Sequence, residues 1–275
     1  MSAPIELKGV GQVFQVRGDD DKRKREFVAL QGVDLTVQAG EFLTLVGPSG
    51  CGKSTILDLV SGLTTPTTGT VSVDGRRVTG PGLDRGVVFQ QYTLLPWRTA
   101  RQNIELALEA AGMKKKAERT ERADRYLELV GLTEFAQRYP HELSGGMKQR
   151  IAIARSLSYE PGVLLMDEPF GALDAQTRER LQEELVGIWK RTGTTIIFIT
   201  HDIEEAVFLG QRVAVMSNRP GAVRKVIDIR LDRSAPGEED IRAGQAFAAY
   251  RHQVWTLLRE RRNLNAPTRE VASVA

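Results

Sequence analysis

The chain of 275 residues has little of what marks membrane-spanning, secreted or nucleic-acid-binding proteins. No run approaches the roughly 18–20 apolar residues that cross a bilayer, and the N-terminus lacks the basic start and apolar core of a secretion signal. A single cysteine, Cys51, excludes an internal disulfide. The net charge is only +3, without a concentrated basic stripe that would favour nucleic acid as a partner. We therefore expect a protein of the cytosol.

What the sequence does contain is an alternation of short apolar runs and amphipathic helical stretches, which predicts an α/β fold. Five runs lack polar alternation, as expected for strands buried on both faces: residues 42–46, 87–89, 163–166, 195–199 and 213–216. The turn signal Asp74-Gly75 after residues 71–73 predicts an antiparallel flank.

Strand signals vanish between about residues 92 and 158. Residues 102–111 and 117–130 instead have helical periodicity, with Ala123, Tyr126, Leu127 and Val130 on one face. We therefore predict a helical subdomain inserted into the α/β core.

Two segments lie apart from this core. Residues 17–26 place an acidic run against a basic one, which favours a solvated hairpin loop. We assign residues 1–233 to one domain and residues 234–275 to a C-terminal helical tail. Apolar residues at helical spacing in the tail favour packing on its own domain or on a second copy; they are Phe247, Tyr250, Val254, Leu257 and Leu258.

The strongest motif is a glycine-rich segment that follows a predicted buried strand and opens a helix. It matches G-x-x-x-x-G-K-[ST], in which the glycines let successive backbone N–H groups face phosphates. Lys53 should reach the outer phosphates, and the Ser54 hydroxyl should ligate Mg²⁺. Cys51 is interpreted as a small loop residue, with a redox role as the alternative. The predicted nucleotide-binding residues are Gly47, Pro48, Ser49, Gly50, Cys51, Gly52, Lys53, Ser54 and Thr55.

Two adjacent acids, Asp167 and Glu168, end a predicted buried strand at its carboxyl end, where open α/β sheets bind ligands. After a phosphate-binding loop, Asp167 is expected to hold Mg²⁺, directly or through water. Glu168 is expected to polarise the attacking water, because phosphoryl transfer depends on a positioned nucleophile.

A second phosphate-binding helix end follows from Ser144, Gly145 and Gly146, which open another predicted helix. One nucleotide need not use both ends from the same molecule. The sequence therefore implies a head-to-tail dimer.

In this order the motifs resemble those of ATP-binding-cassette (ABC) ATPases, and the resemblance covers about residues 5–230. It implies a P-loop ABC ATPase core with an antiparallel β flank and an inserted helical subdomain. It also implies that residues 143–146 of one copy, Leu-Ser-Gly-Gly, close over ATP held by the phosphate-binding loop of the other.

The resemblance also implies roles for single residues. Phe14 is similar to the aromatic residue that stacks on adenine, with Phe27 as a rival. Gln90 is similar to the glutamine that contacts Mg²⁺ and water. Asp174 ends the segment Gly-Ala-Leu-Asp, similar to the loop that crosses between subunits, and His201 is similar to the histidine at the γ-phosphate.

The segment Leu-Leu-Pro-Trp-Arg at residues 94–98 is similar to taurine, sulfonate and nitrate importers. This implies an ATP-hydrolysing subunit at the cytoplasmic face of the membrane, with permease subunits, an external substrate-binding protein and a small anion as cargo. Trp97 is a candidate permease contact, or alternatively a core residue of the helical subdomain. The alternatives are an exporter subunit or a soluble non-transport ATPase; the coiled-coil insertion of DNA-repair ATPases is absent.

Overall fold

Two sheets and the helices around them make up the computed structural model, which describes residues 2–17, 24–231 and 241–259. The strands are β1 (Ile5–Arg17), β2 (Lys24–Val37), β3 (Phe42–Val46), β4 (Thr68–Val73), β5 (Arg76–Arg77), β6 (Arg85–Val88), β7 (Val163–Asp167), β8 (Thr195–Thr200), β9 (Arg212–Met216) and β10 (Val223–Asp228). The α-helices are α1 (Lys53–Ser61), α2 (Ala100–Ala110), α3 (Lys116–Leu129), α4 (Gly145–Leu157), α5 (Ala175–Thr192), α6 (Ile203–Leu209) and α7 (Gln245–Arg259). Short 3₁₀ helices cover Thr133–Phe135, Pro140–Glu142 and Ile241–Ala243.

The larger sheet has the strand order β10-β9-β3-β8-β7-β6. Its strands from β9 to β6 pair in parallel, and β10 adds an antiparallel edge. Every residue of β3 and β8 is buried, as the apolar runs predict. The β6 strand ends at Val88, one residue before the predicted end, and Phe89 is 42% exposed. The predicted α/β class is thus confirmed, and the carboxyl ends of β3, β7 and β8 meet at one edge.

The smaller sheet is antiparallel, in the order β2-β1-β4-β5, and confirms the predicted flank. Asp74 and Gly75 connect β4 to β5 with φ of 51° and 70°. Positive φ at both central residues is the requirement of a type I′ hairpin turn. The long strands β1 and β2 are not among the sequence predictions. Register shifts between Leu7 and Val13 interrupt the period-two pattern that would have indicated them.

Helices α2, α3 and α4 fill the region without strand signals and confirm the helical subdomain. Thr99 caps α2 through a capping box with Gln102, which fixes where this helix begins. On α3, the predicted apolar face is buried in the main core. Within the described ranges, no helix is long and apolar enough to cross a membrane.

The predicted C-terminal tail is described only as residues 241–259. Phe247 and Val254 of α7 are 1% and 0% exposed, and the helix packs against α6 and β9 of the same chain. The predicted domain boundary at residue 233 falls outside the described residues, as do residues 18–23 of the charged insertion. The described ends of the insertion belong to β1 and β2, which pair with each other.

Candidate nucleotide site

The glycine-rich segment connects β3 to α1, and its backbone conformation explains its composition. Gly50 and Gly52 have φ of 73° and 95°, in the left-handed region. A Cβ at Gly52 would also lie 2.5 Å from Leu30. A larger residue at position 52 would therefore be strained and would collide with β2. The loop can curl only because glycine occupies this position.

Lys53, the first residue of α1, lies inside the loop. Its Nζ donates hydrogen bonds to the carbonyl oxygens of Gly47 and Pro48, at 2.8 and 3.1 Å. The side chain is largely buried, whereas Pro48, Ser49 and Gly50 are exposed. Since an ammonium group has three donors, one remains to face a phosphate lying over the exposed loop.

Cys51 lies beneath the loop and is fully buried. Burial raises the pKa of its thiol, and the opposing effect of Lys53 is smaller. A buried thiol with a raised pKa is unreactive. The surroundings therefore favour the interpretation of Cys51 as a small loop residue over a redox role.

Asp167, the last residue of β7, lies next to α1. Its carboxylate accepts a hydrogen bond from the Ser54 hydroxyl. Burial raises the pKa of Asp167, the charge of Glu168 acts in the same direction, and Ser54 and Lys53 act against it. Among the described residues, no group of three or more His, Cys, Asp or Glu could hold a metal ion. Mg²⁺ requires no such cage, since it is held by one or two protein oxygens together with phosphate oxygens and water. The Ser54 and Asp167 oxygens fit that ion.

Glu168 and His201 are brought together by the parallel pairing of β7 and β8. The Glu168 Oε2 and His201 Nδ1 atoms are 2.9 Å apart, and Glu168 has a φ of 44°, in the left-handed region. Its backbone N–H donates to the Ile199 carbonyl at 3.0 Å. This backbone hydrogen bond holds the turn against β8. The Glu168 carboxylate therefore orients the imidazole ring of His201 through Nδ1, and the opposite ring nitrogen points away from Glu168.

Gln90 lies two residues beyond the end of β6 and is exposed. A Cβ added to Gly171 would be 3.7 Å from its Nε2 atom, so the amide lies beside the turn that begins with Glu168. Asp174, at the end of this segment, is exposed and caps α5 by accepting a hydrogen bond from the Thr177 N–H at 2.9 Å. That bond is the main reason why the pKa of Asp174 is lowered.

The second predicted phosphate-binding end is formed as a helix start. Ser144 caps α4 by accepting from the Met147 N–H at 3.3 Å, and Gly145 is the first helical residue. Gly145 lies against Leu173 and Tyr92. Within the described chain, no hydrogen bond or ion pair connects residues 144–146 to the phosphate-binding loop. One copy therefore presents the two ends as separate surfaces.

The two candidate adenine-stacking residues are directly opposite each other. Phe14 of β1 and Phe27 of β2 are cross-strand partners in register, so their side chains share one face of the hairpin. The Arg219 guanidinium lies 5.3 Å from the centroid of the Phe27 ring, and its Nε donates to the Gly50 carbonyl at 3.3 Å. Arg219 thus connects the phosphate-binding loop to the aromatic pair. No sequence motif indicated this residue, because its position depends on the tertiary fold.

Comparison with known proteins gives consistent matches. Residues 30–171 match the family model described as ABC transporter. The chain is 52% identical over 247 residues to the nitrate import ATP-binding protein NrtD of Synechocystis sp., which covers 87% of this chain and 91% of that protein. It is 40% identical over 277 residues to the bicarbonate transport ATP-binding protein CmpC of Synechococcus elongatus, covering 100% of this chain and 41% of that protein. A solved dimeric ATP-binding cassette in a post-hydrolysis state, bound to ADP and Pi, matches with a TM-score of 0.69 and 35% identity, over 82% of this chain and 99% of that chain.

Proposed function

Since the chain belongs to the ABC transporter family and is an ATP-hydrolysing, ATP-binding subunit of that family, we propose that it powers the uptake of a small anion from the cytoplasmic face of the membrane. Its partners would be a second copy of the chain, permease subunits and an external substrate-binding protein. The observation that carries the catalytic part of the proposal is the 2.9 Å contact between Glu168 and His201. This contact joins the residues needed to hydrolyse a nucleotide, and not only to bind it.

In the proposed nucleotide complex, backbone N–H groups of the loop and the start of α1 bind the phosphates of ATP. Lys53 would contact the outer phosphates with the donor that the loop carbonyls leave available. Ser54, Asp167 and Gln90 would hold Mg²⁺. When bound, this ion would neutralise charge on the β- and γ-phosphates.

Hydrolysis would start from a water molecule that donates a hydrogen bond to the Glu168 carboxylate and is oriented by it. The water oxygen would attack the γ-phosphorus, a proton of that water would pass to the Glu168 carboxylate, the bond to the bridging oxygen would break, and ADP and phosphate would leave. His201, oriented through Nδ1 by Glu168, would direct its other ring nitrogen to the γ-phosphate. His201 would act by position, whereas Glu168 would both orient the water and accept its proton.

The nucleotide would lie between two copies. Ser144 and Gly146 at the start of α4 would bind the γ-phosphate held by the partner's loop, with the Gly171–Asp174 segment crossing between the copies. A helix N-terminus with unpaired N–H groups is suited to an anion. Support comes from the separation of the two phosphate-binding surfaces in one chain and from the dimeric state of the matched cassette. ATP binding would thus draw the copies together, and hydrolysis would release them.

Exposed apolar residues close to Gln90 in the sequence are the proposed permease contact. Phe89 and Trp97 are 42% and 70% exposed. Leu63 and Phe89 line a groove of about 280 Å³ next to α4. Exposed apolar patches of this kind mark protein contacts. The exposure of Trp97 favours the contact interpretation over a core role in the helical subdomain.

The anionic cargo is supported by the nitrate and bicarbonate named for the two transport proteins described above. The cargo itself would contact the permease and the binding protein, so the residues of this chain do not select it. Reconstitution with both partners in proteoliposomes tests the proposal. We expect ATP hydrolysis to rise when the binding protein is loaded with its anion, and the anion to accumulate on the side of the membrane where the ATPase lies, opposite the binding protein. Stimulation without accumulation, or export of the anion, would contradict it.

Replacement of Trp97 by Ala tests the permease surface. We expect Trp97→Ala to reduce co-purification with the permease by about tenfold or more, because exposed tryptophans dominate contact energies, while ATP hydrolysis by the isolated chain continues. Val28→Ala, at an exposed apolar residue of the smaller sheet, is the matched control and should leave co-purification unchanged. Equal recovery of permease with both variants would remove Trp97 from the contact.

A further inference from the structure

The end of helix α7 lies beside the phosphate-binding loop, although these residues are about 200 positions apart in the sequence. A cavity of about 600 Å³ lies between them. Its lining includes Gly47, Pro48 and Ser49 together with His201, and also Trp255 and Arg259 of α7, which we call the α7 wall. The motifs of the nucleotide site do not account for the α7 wall.

Trp255 is held in place on this wall. The ring of His252 is 5.8 Å away and nearly parallel to it, and the Arg259 guanidinium lies 4.6 Å from its centroid. The preceding residue, Val254, is fully buried and fixes the helix to the core. Trp255 itself remains 43% exposed. A large aromatic side chain that is fixed on a rigid helix loses little conformational entropy on binding, so it suits a protein contact.

We propose that Trp255 and the end of α7 form part of the surface by which two copies of this chain meet over the nucleotide. This inference rests on the proposed function, in which Ser144 of one copy reaches the phosphates on the loop of the other. The centre of that contact lies at Ser49 and His201, which line the cavity. The α7 wall is therefore continuous with the proposed interface.

An interface of standard size, centred on Ser49 and His201, is wide enough to include Trp255. A specific contact covers about 800 Å² on each partner, so a roughly circular footprint extends about 16 Å from its centre. Trp255 lines the same cavity of about 600 Å³ as Ser49 and His201. A partner whose footprint is centred on Ser49 and His201 is therefore expected to approach Trp255 as well.

The charges that line the cavity are complementary to the charge on the proposed crossing segment of the partner. His201, Arg224 and Arg259 line the cavity, and no Asp or Glu is among its described lining residues. The proposed crossing segment of the partner carries the exposed carboxylate of its own Asp174. A carboxylate that approaches a cavity lined with arginines is favourable and helps to set the orientation of the partners. The observations thus favour a second copy of this chain as the occupant.

The test measures the monomer–dimer dissociation constant by sedimentation velocity, with ATP and Mg²⁺, in the full chain carrying Glu168→Gln. We expect Trp255→Ala to raise this constant about 10-fold, as removal of an interface tryptophan does, and Trp255→Phe to raise it less. Binding of a fluorescent ATP analogue by the monomer should not change. Gln253→Ala is the control, because this exposed residue lies about 200° around the same helix and is not in the cavity wall.

An unchanged or lower dissociation constant for Trp255→Ala, with the Glu168→Gln parent dimerising, would overturn this inference and leave the proposed function intact. Failure of the parent itself to dimerise with ATP would count against the shared nucleotide site, and the α7 contact would fall with it. Thermal unfolding of each monomer checks that the variants fold. Since Trp255 is partly exposed, we expect midpoints within a few degrees of the parent.

Discussion

Replacing Glu168 by Gln is expected to reduce the steady-state rate of ATP hydrolysis by about 10²–10⁴-fold, the usual contribution of a positioned general base. In the parent chain, Glu168 Oε2 lies 2.9 Å from His201 Nδ1. The glutamine amide has the size of the carboxylate and can still make this contact. It cannot accept a proton from the attacking water. Binding of ATP should remain within a few-fold of the parent, because Lys53 and the loop carry it. Phosphate release and equilibrium ATP binding are the two measurements.

The matched control is Glu118→Gln on α3, which makes the same chemical change at an exposed position that pairs with Lys115. It should leave the hydrolysis rate unchanged. A Glu168→Gln variant that turns over ATP at the parental rate would refute the catalytic assignment. Loss of ATP binding together with hydrolysis would instead indicate a structural role for Glu168 in the turn after β7.

Ser144→Arg is expected to abolish ATP-dependent dimerisation while the monomer still binds ATP. The side chain at this position lies at the helix end that is proposed to meet the partner's γ-phosphate, so a long side chain would hold the two copies apart. The variant also loses the cap on the Met147 N–H, which should lower the free energy of unfolding by about 1 kcal/mol. Sedimentation velocity in the Glu168→Gln background measures the effect on association.

The control for added bulk and charge is Thr192→Arg. This exposed residue ends the 18-residue helix α5, at the opposite end from Asp174. The Thr192→Arg variant should dimerise as the parent does. Equal dimerisation of Ser144→Arg and the parent would exclude residues 144–146 from the interface.

The elements that the sequence predicted well are those whose signal is local. The buried strands β3, β7, β8 and β9 appear as uninterrupted apolar runs because both faces are covered. The Asp74-Gly75 turn was predictable because its backbone requires positive φ. The β1 and β2 strands were missed because their register shifts break the alternation.

Much of the candidate site depends on contacts between distant residues. Glu168 and His201 are 33 residues apart, and only the parallel pairing of β7 with β8 brings them within hydrogen-bonding distance. The choice between Phe14 and Phe27 could not be made from spacing, and their direct opposition explains why both fit. The positions of Arg219 and Trp255 depend on tertiary packing, for which neither has a motif.

The central claim is that each nucleotide is held by two copies, and site-directed crosslinking tests it most directly. Cys51→Ala in the Glu168→Gln chain provides a cysteine-free background. Ser49→Cys is introduced into one preparation and Ser144→Cys into another, and the two are mixed with a short bifunctional thiol reagent. We predict a covalent dimer in the mixture that requires ATP, and little or none with either variant alone. Equal crosslinking in the mixture and in the single variants, or none in a mixture that binds ATP, would contradict the shared site.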